Sequence, residues 1–273
     1  MSALTLTLTL KSNLTQRVDM SPLTVDKVAE NSIDDIKAIS LRSGKRSLRV
    51  DELFDVSGQA GDRLVIKNSC DKLDYIGRGQ THGKITVDGD VGAYMGMQME
   101  EGSLTVNGDV GIFAGCEMSG GEIVINGNAG ELLGAPLPGN KQGMSGGIIL
   151  VKGNAGERLG DRMRRGIILV EGDTADYCGS RMTAGTIAVM GETGRYLGYS
   201  MSRGTILLWN KPQIPPTFND CGLHTLTFLA LFFASIRHLD STMSEPSAVF
   251  NRIHRYGGDM SGVGRGEILV KVQ

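Results

Sequence analysis

The sequence predicts an all-β protein: a right-handed parallel β-helix of 19-residue coils, with an N-terminal cap and a C-terminal helix. Three observations predict it. Six copies of one 19-residue unit start at Gly83, Gly102, Gly121, Gly147, Gly166 and Gly185, with a seventh start at Gly204 and seven extra residues between Gly121 and Gly147. Each unit opens on alternating apolar residues, from Ile85/Val87 in the first copy to Ile187/Val189 in the sixth. That period of two buries one face of a strand. Glycine recurs in all six copies at unit position 7 (Gly89 to Gly191) and position 14 (Gly96 to Gly198). Such glycines suit corners with positive φ or close backbone approach. Nineteen residues are too few for a strand and a helix with tight turns. They suit one coil, stacked on its neighbours about 4.8 Å apart.

The chain divides into three segments: a cap over residues 1–60, repeats over 61–210 and an extension over 211–273. Within the cap, LTLTLTL (4–10) alternates as a strand, and NSIDDIKAISL (31–41) has helical spacing with Asn31 as its cap. A degenerate coil covers 62–82, its Ile76-Gly77 lying 19 residues before Met95-Gly96. Position 17 is methionine in five copies, Met99, Met118, Met163, Met182 and Met201, with Leu137 in the third. This ladder, and the Met95-to-Leu197 column at position 13 that contains Cys178, read as core filler rather than metal ligands. After the seventh strand, PQIPPTF (212–218) is extended and ends the repeat. LHTLTFLALFFASIRHL (223–239) reads as a buried helix, too short and interrupted to span a membrane. The strand GEILVKV (266–272) closes the chain. Outward positions turn apolar in the fourth and fifth copies, at Ile148/Leu150 and Ile167/Leu169, and such a patch needs cover. Either the C-terminal helix or another subunit supplies it.

Composition excludes several classes. The 273 residues carry 28 basic and 30 acidic side chains, a net charge of -2, which gives no support for nucleic-acid or anionic-membrane binding. The 39 glycines are about twice the usual share of roughly 7%. Cys70, Cys116, Cys178 and Cys221 lie far apart with no C-x-x-C pair, as in a reduced, cytosolic chain. The first residues lack a basic segment followed by a long apolar one, so no signal peptide is expected. His82, His224, His238 and His254 have no metal-ligand spacing and sit in no nucleophile motif. The glycine runs are corners rather than dinucleotide fingerprints, because no long helix follows them. No catalytic residue and no metal ligand is expected on this chain.

The motif G-x-h-x-V-x-G-x-x-G-x-x-x-G-x-x-M resembles the GXGXG repeat domain shared by the large subunit of glutamate synthase and the C-subunit of formylmethanofuran dehydrogenase. The enlarged coil GAPLPGNKQGMSGG (134–147) and the upstream SIDDIKAISL with LFDVSG resemble the C-subunit family of that dehydrogenase. The likeness covers residues ~30 to 210, and PTFNDCGLHTLTFL resembles the extension of that family's bacterial members. Those members belong to the formyltransferase/hydrolase complex of C1-oxidising bacteria. The resemblance implies a noncatalytic structural subunit in tetrahydromethanopterin-linked one-carbon metabolism and methylotrophy. Its partners would be a formyltransferase subunit, an amidohydrolase-like subunit and a further subunit in the cytoplasm. The carrier would be of the methanofuran type, with metals only in partner subunits. Two other readings are the C-subunit of a redox formylmethanofuran dehydrogenase containing molybdenum or tungsten, and a lone scaffold related to glutamate synthase.

Seven arginines gather in the fourth to sixth coils: Arg158, Arg162, Arg164, Arg165, Arg181, Arg195 and Arg203. Arg162 and Arg181 share position 16 of successive coils and are expected to be stacked neighbours. Carriers of the resembled family bear acidic, glutamate-rich tails, which makes Arg162, Arg165 and Arg181 candidate contacts for one. The competing reading is ion pairing with Glu157, Asp161, Glu171, Asp173, Asp176 and Glu192 of the same coils.

Overall fold

A computed structural model describes residues 4–272; residues 1–3 of the expected cap, and Gln273, lie outside the described residues. The chain is mostly β. Thirteen strands form one mixed sheet, and a small sheet of four short strands lies near the N-terminus. The middle of the large sheet is the repeat itself. Strands Lys84–Gly89, Ser103–Asn107, Glu122–Ile125, Ile148–Val151, Ile167–Val170, Thr186–Val189 and Arg203–Leu208 pair in parallel, each with the next. The register follows the unit: Ile85 faces Leu104, Leu104 faces Ile123, and Ile123 faces Ile149 across the insertion.

Two further columns tie each unit to the next. Parallel bridges run from Val91 through Val110, Ala129, Ala155 and Thr174 to Thr193. The position-14 amides donate to the neighbouring unit, as in Gly115 N to Met95 O at 2.7 Å and Gly179 N to Leu159 O at 2.8 Å. The apolar positions of every strand point inward and are fully buried, with Ile85, Leu104, Ile123, Ile149, Ile168 and Ile187 all at 0% exposure. From Ile123 on, each such isoleucine explains a glycine: a Cβ on Gly96 would lie 2.5 Å from Ile123 Cδ1, and one on Gly160 2.6 Å from Ile187 Cδ1.

The methionine ladder differs from expectation at one rung. Met144, not Leu137, fills the third place. Its amide donates to Gly134 O, as Met99 donates to Gly96 O and Met163 to Gly160 O, and its carbonyl accepts from Arg164 N. The seven inserted residues are therefore 136–142, ahead of position 17, and Leu137 packs instead in an outer cluster with Met97, Phe113 and Cys116. Gln80, fully buried, starts the same column from the degenerate unit.

Both ends of the stack are continued by other strands. At one end the degenerate unit gives Arg63–Ser69, then Thr5–Leu10 in parallel and Phe54–Gly58 antiparallel. At the other, Arg265–Lys271 pairs in parallel with Arg203–Leu208, placing Gly266 beside Gly204, and Arg252–Gly258 and Asn219–Thr225 follow antiparallel. The N-terminal helix is Ile33–Ala38, and its cap is Ser32 rather than Asn31. Ser32 and Asp35 form a reciprocal capping box, which outcompetes the asparagine one residue earlier. The C-terminal helix is Phe228–Ile236, shorter than the apolar run, because residues 219–225 form a strand. Leu229, Phe233 and Ile236 pack on Leu150, Leu169, Ala188 and Leu207. The helix thus covers the apolar strip that the fourth and fifth units expose. No helix among the described residues is long and apolar enough to cross a membrane.

Candidate functional site

The inserted residues 136–142 border a half-open cavity of about 490 Å³ against the stack. The loop supplies residues 136–141, among them Pro136, Leu137 and Lys141, and the stack supplies Phe113, Leu132, Arg158, Asp161, Arg162 and Arg181. Four cations and one carboxylate therefore meet there, against an apolar wall. The corner positions 158, 162 and 181 have φ of 58°, 53° and 54°. At these left-handed corners the side chains project outward from the stack rather than into it.

The four cations are not equivalent. Arg181 is neutralised: its Nε and one Nη reach the two Asp161 oxygens at 2.9 and 2.6 Å. Asp161 is 3% exposed and also accepts from Ser180 Oγ at 2.5 Å. A buried carboxylate held by three donors is a fixed strut. Arg158 lies over the Tyr177 ring, 4.7 Å from its centroid, and forms no ion pair among the described residues. Arg162 and Lys141 have no side-chain hydrogen bond or ion pair among the described residues. Arg165 is exposed and is not among the residues that line the cavity. The structure thus brings Arg162 and Arg181 together, as their shared unit position predicts, and leaves Arg165 outside.

The loop is held by Glu117, which occupies position 16 two units before Arg162. Its Oε1 accepts from Leu137 N at 3.1 Å and Asn140 Nδ2 at 2.5 Å, and its Oε2 from Gln98 Nε2 at 3.0 Å. Burial pushes the Glu117 carboxyl up, but these three donors outweigh it and hold the group below its ordinary 4.5. At the far end, Gly143 N donates to Arg162 O at 3.0 Å and Arg164 Nη1 to Gln142 Oε1 at 2.8 Å. Sequence reasoning placed Arg158 in the basic strip but not in the site, and it missed Lys141 and Glu117. The signal was available in the insertion itself, whose seven residues carry a lysine and an asparagine.

Elsewhere several charged groups pair locally. Arg195 binds Asp176 at 3.0 Å, His238 Glu122 at 3.0 Å, and His254 Asp220 at 2.6 Å. No group of three or more His, Cys, Asp or Glu among the described residues could hold a metal ion. Burial pushes the thiols of Cys116 and Cys178 up to about 12, so neither is a nucleophile at neutral pH. A second hollow, about 620 Å³, lies beside Arg17, Asp74 and Asp90. Its central charges pair with each other: Asp74 takes Arg17 at 2.6 Å and Ala93 N at 2.8 Å.

The repeat is shared with known proteins. The family model of the GXGXG motif matches residues 74–225. The C-subunit of the formyltransferase/hydrolase complex Fhc of Methylorubrum extorquens is 49% identical over 266 residues, 97% of this chain and 98% of that protein. The C-subunit of tungsten-containing formylmethanofuran dehydrogenase 2 from Methanococcus maripaludis is 37% identical over 91 residues. That match spans only about a third of the archaeal protein, 34% of its length. A chain of the X-ray structure of the formyltransferase/hydrolase complex FhcABCD from Methylorubrum extorquens, in complex with methylofuran, superposes with a TM-score of 0.91 at 36% identity. The superposition covers 98% of this chain and 100% of that one.

Proposed function

The chain belongs to the GXGXG family, in the branch of the C-subunits of formyltransferase/hydrolase complexes, and on that premise we propose that it is the noncatalytic structural subunit of such a complex. The observation that carries this is likeness over the whole length, in sequence and in backbone, to one member of a multi-subunit assembly. The activity of the assembly is the transfer of a formyl group from tetrahydromethanopterin to a methanofuran-type carrier, followed by release of formate. The assembly is completed by a formyltransferase subunit, an amidohydrolase-like subunit and one further subunit, in the cytoplasm, with any metals bound in the partners. The stacked units wind as a right-handed parallel β-helix over residues 61–210, closed by a cap over 1–60 and an extension over 211–273.

Physical reasons favour a scaffold. Nearly every repeated residue is committed to stacking: glycines to corners, isoleucines and methionines to the core, and position-14 amides to the neighbouring unit. Such a stack is stiff in one dimension and offers long faces to neighbours. We assign the cavity under the 136–142 loop to the acidic tail of the carrier, with Arg162 and Arg181 on its wall. Arg165 lies outside that cavity and would serve the same tail only beyond its rim. A second reading, the C-subunit of a redox formylmethanofuran dehydrogenase containing molybdenum or tungsten, is favoured by the identity to the archaeal proteins over 91 residues.

Reconstitution tests the proposal. Partner subunits are assembled with and without this chain, and formyl transfer and formate release are assayed. The chain alone should show neither activity, and its omission should dissociate the assembly. Turnover by the chain alone, or an intact and fully active assembly without it, would contradict the proposal.

A further inference from the structure

The 136–142 insertion interrupts an otherwise constant 19-residue step, and it does so at a corner where cations without ion-pair partners among the described residues line one cavity. Position 16 carries Gln98 and Glu117 in the first two units, but in the third it falls to Gly143, which brings no side chain. Lys141 arrives from the loop instead and lines one cavity together with Arg158 and Arg162. After Arg181 and Asp161 cancel, three positive charges remain. Arg158 and Arg162 stand at positions 12 and 16 of one unit and Lys141 on the loop, so the charges reach the wall from three separate backbone positions. Phe113, Leu132, Pro136 and Leu137 give the rest of the wall an apolar surface. Spread cations beside an apolar wall suit a linear chain with spaced carboxylates and methylene links. A compact anion such as phosphate would use one point of it only.

We infer that the inserted loop, and not the arginine column alone, makes this a site for an oligocarboxylate chain, and that Glu117 is its positioning residue. Glu117 acts without touching the ligand. It fixes the loop through Leu137 N and Asn140 Nδ2, and so fixes Lys141 one residue further on. The free loop would otherwise place Lys141 in many positions, and the cost of ordering it would fall on binding. The inference rests on the reading that this cavity receives an acidic tail, and the test separates the two.

Tetraglutamate is titrated calorimetrically into the full chain at low salt, with tetraglutamine as the uncharged control. Wild-type chain should bind tetraglutamate and ignore tetraglutamine. Arg162→Gln should weaken binding about tenfold, the loss of one charged hydrogen-bonding partner. Gln98 holds the equivalent corner at φ 57°, so glutamine fits that backbone. Lys141→Gln should weaken binding by a similar factor and reduce the salt dependence, because one fewer ion pair forms. Glu117→Ala should weaken binding about tenfold and speed amide exchange over residues 136–142, while leaving the thermal midpoint near wild type. Glu117→Gln keeps one acceptor oxygen for Leu137 and Asn140 and should restore most of the affinity.

Binding that falls in Arg162→Gln but stays at wild-type strength in both Lys141→Gln and Glu117→Ala would overturn the inference while leaving the acidic-tail reading standing. No binding of tetraglutamate to the wild-type chain would overturn both. Equal binding of tetraglutamine would show an uncharged peptide groove and would also overturn both.

Discussion

Gly166 has a φ of +97°, and a Cβ there would lie 2.8 Å from both Gly147 O and Met144 Cε. The same seat recurs along the column: Met99 Cε approaches Gly121, Met118 Cε Gly147, Met163 Cε Gly185 and Met182 Cε Gly204. From the third unit on, the first glycine is thus both a left-handed corner and the seat of a methionine methyl from two units earlier. Gly166→Ala should cost about 2–4 kcal/mol, the sum of backbone strain and overpacking. Gly139 has a similar φ of +93° but open space round it, so Gly139→Ala should cost only about 1–2 kcal/mol of strain. Urea denaturation of both variants checks the difference, and equal losses would remove the methyl-seat explanation. The periodic glycines and methionines were legible because each residue type repeats at a fixed place. Leu137 misled, since a strict count of 19 assigns it to the ladder when the insertion precedes that position. Another column went unread. Asp90, Asp109, Asn128, Asn154 and Asp173 each accept, through a side-chain oxygen, the amide of the equivalent residue one unit on, at 2.7–2.9 Å. Asp and Asn are interchangeable as acceptors, so the alternation hid a single role.

Among the elements, the C-terminal helix shows how a local sequence is overruled by packing. Residues 223–239 are apolar almost throughout, and that run alone predicts a helix over its whole length. The first residues instead pair with Arg252–Gly258 as the edge strand of the sheet, and the helix begins at Phe228. What the sequence did reveal was the need for cover over Leu150 and Leu169, and the helix meets it. Phe233, 3% exposed, sits edge-on to Trp209 at 6.1 Å and to Phe250 at 5.4 Å. Phe233→Ala should destabilise the chain by about 3–4 kcal/mol. Trp209 is the sole tryptophan, so its emission reports the loss directly, with a red shift on exposure in the native baseline. An unchanged spectrum and midpoint would mean that the helix is not packed on the strip. The closing strand Arg265–Lys271 was legible as a strand but not as a further rung. It reaches the stack after a detour and then repeats the register of Arg203–Leu208, with Ile268 beside Ile206.

At the scale of the molecule, stacking accounts for most of the repeated residues. The repeat directs most of its side chains to contact with itself, and two features depart from that pattern. One is the 136–142 loop with its unpaired cations. The other is the set of exposed apolar residues near the C-terminal edge, Leu223, Phe228 and Leu231. Periodicity made the architecture of the middle readable. The function was readable only through likeness to a family, because the repeat carries no reactive motif among the described residues and a fold alone does not state a function. The central claim, that this chain is the structural subunit of a formyltransferase/hydrolase complex, is tested most directly by affinity purification from its native host. Mass spectrometry of the partners and metal analysis are done on the same sample. The expected result is a formyltransferase chain and an amidohydrolase-like chain in constant ratio to this one, with neither molybdenum nor tungsten at stoichiometric level. Recovery of the chain by itself, or with a stoichiometric complement of either metal, would contradict the claim.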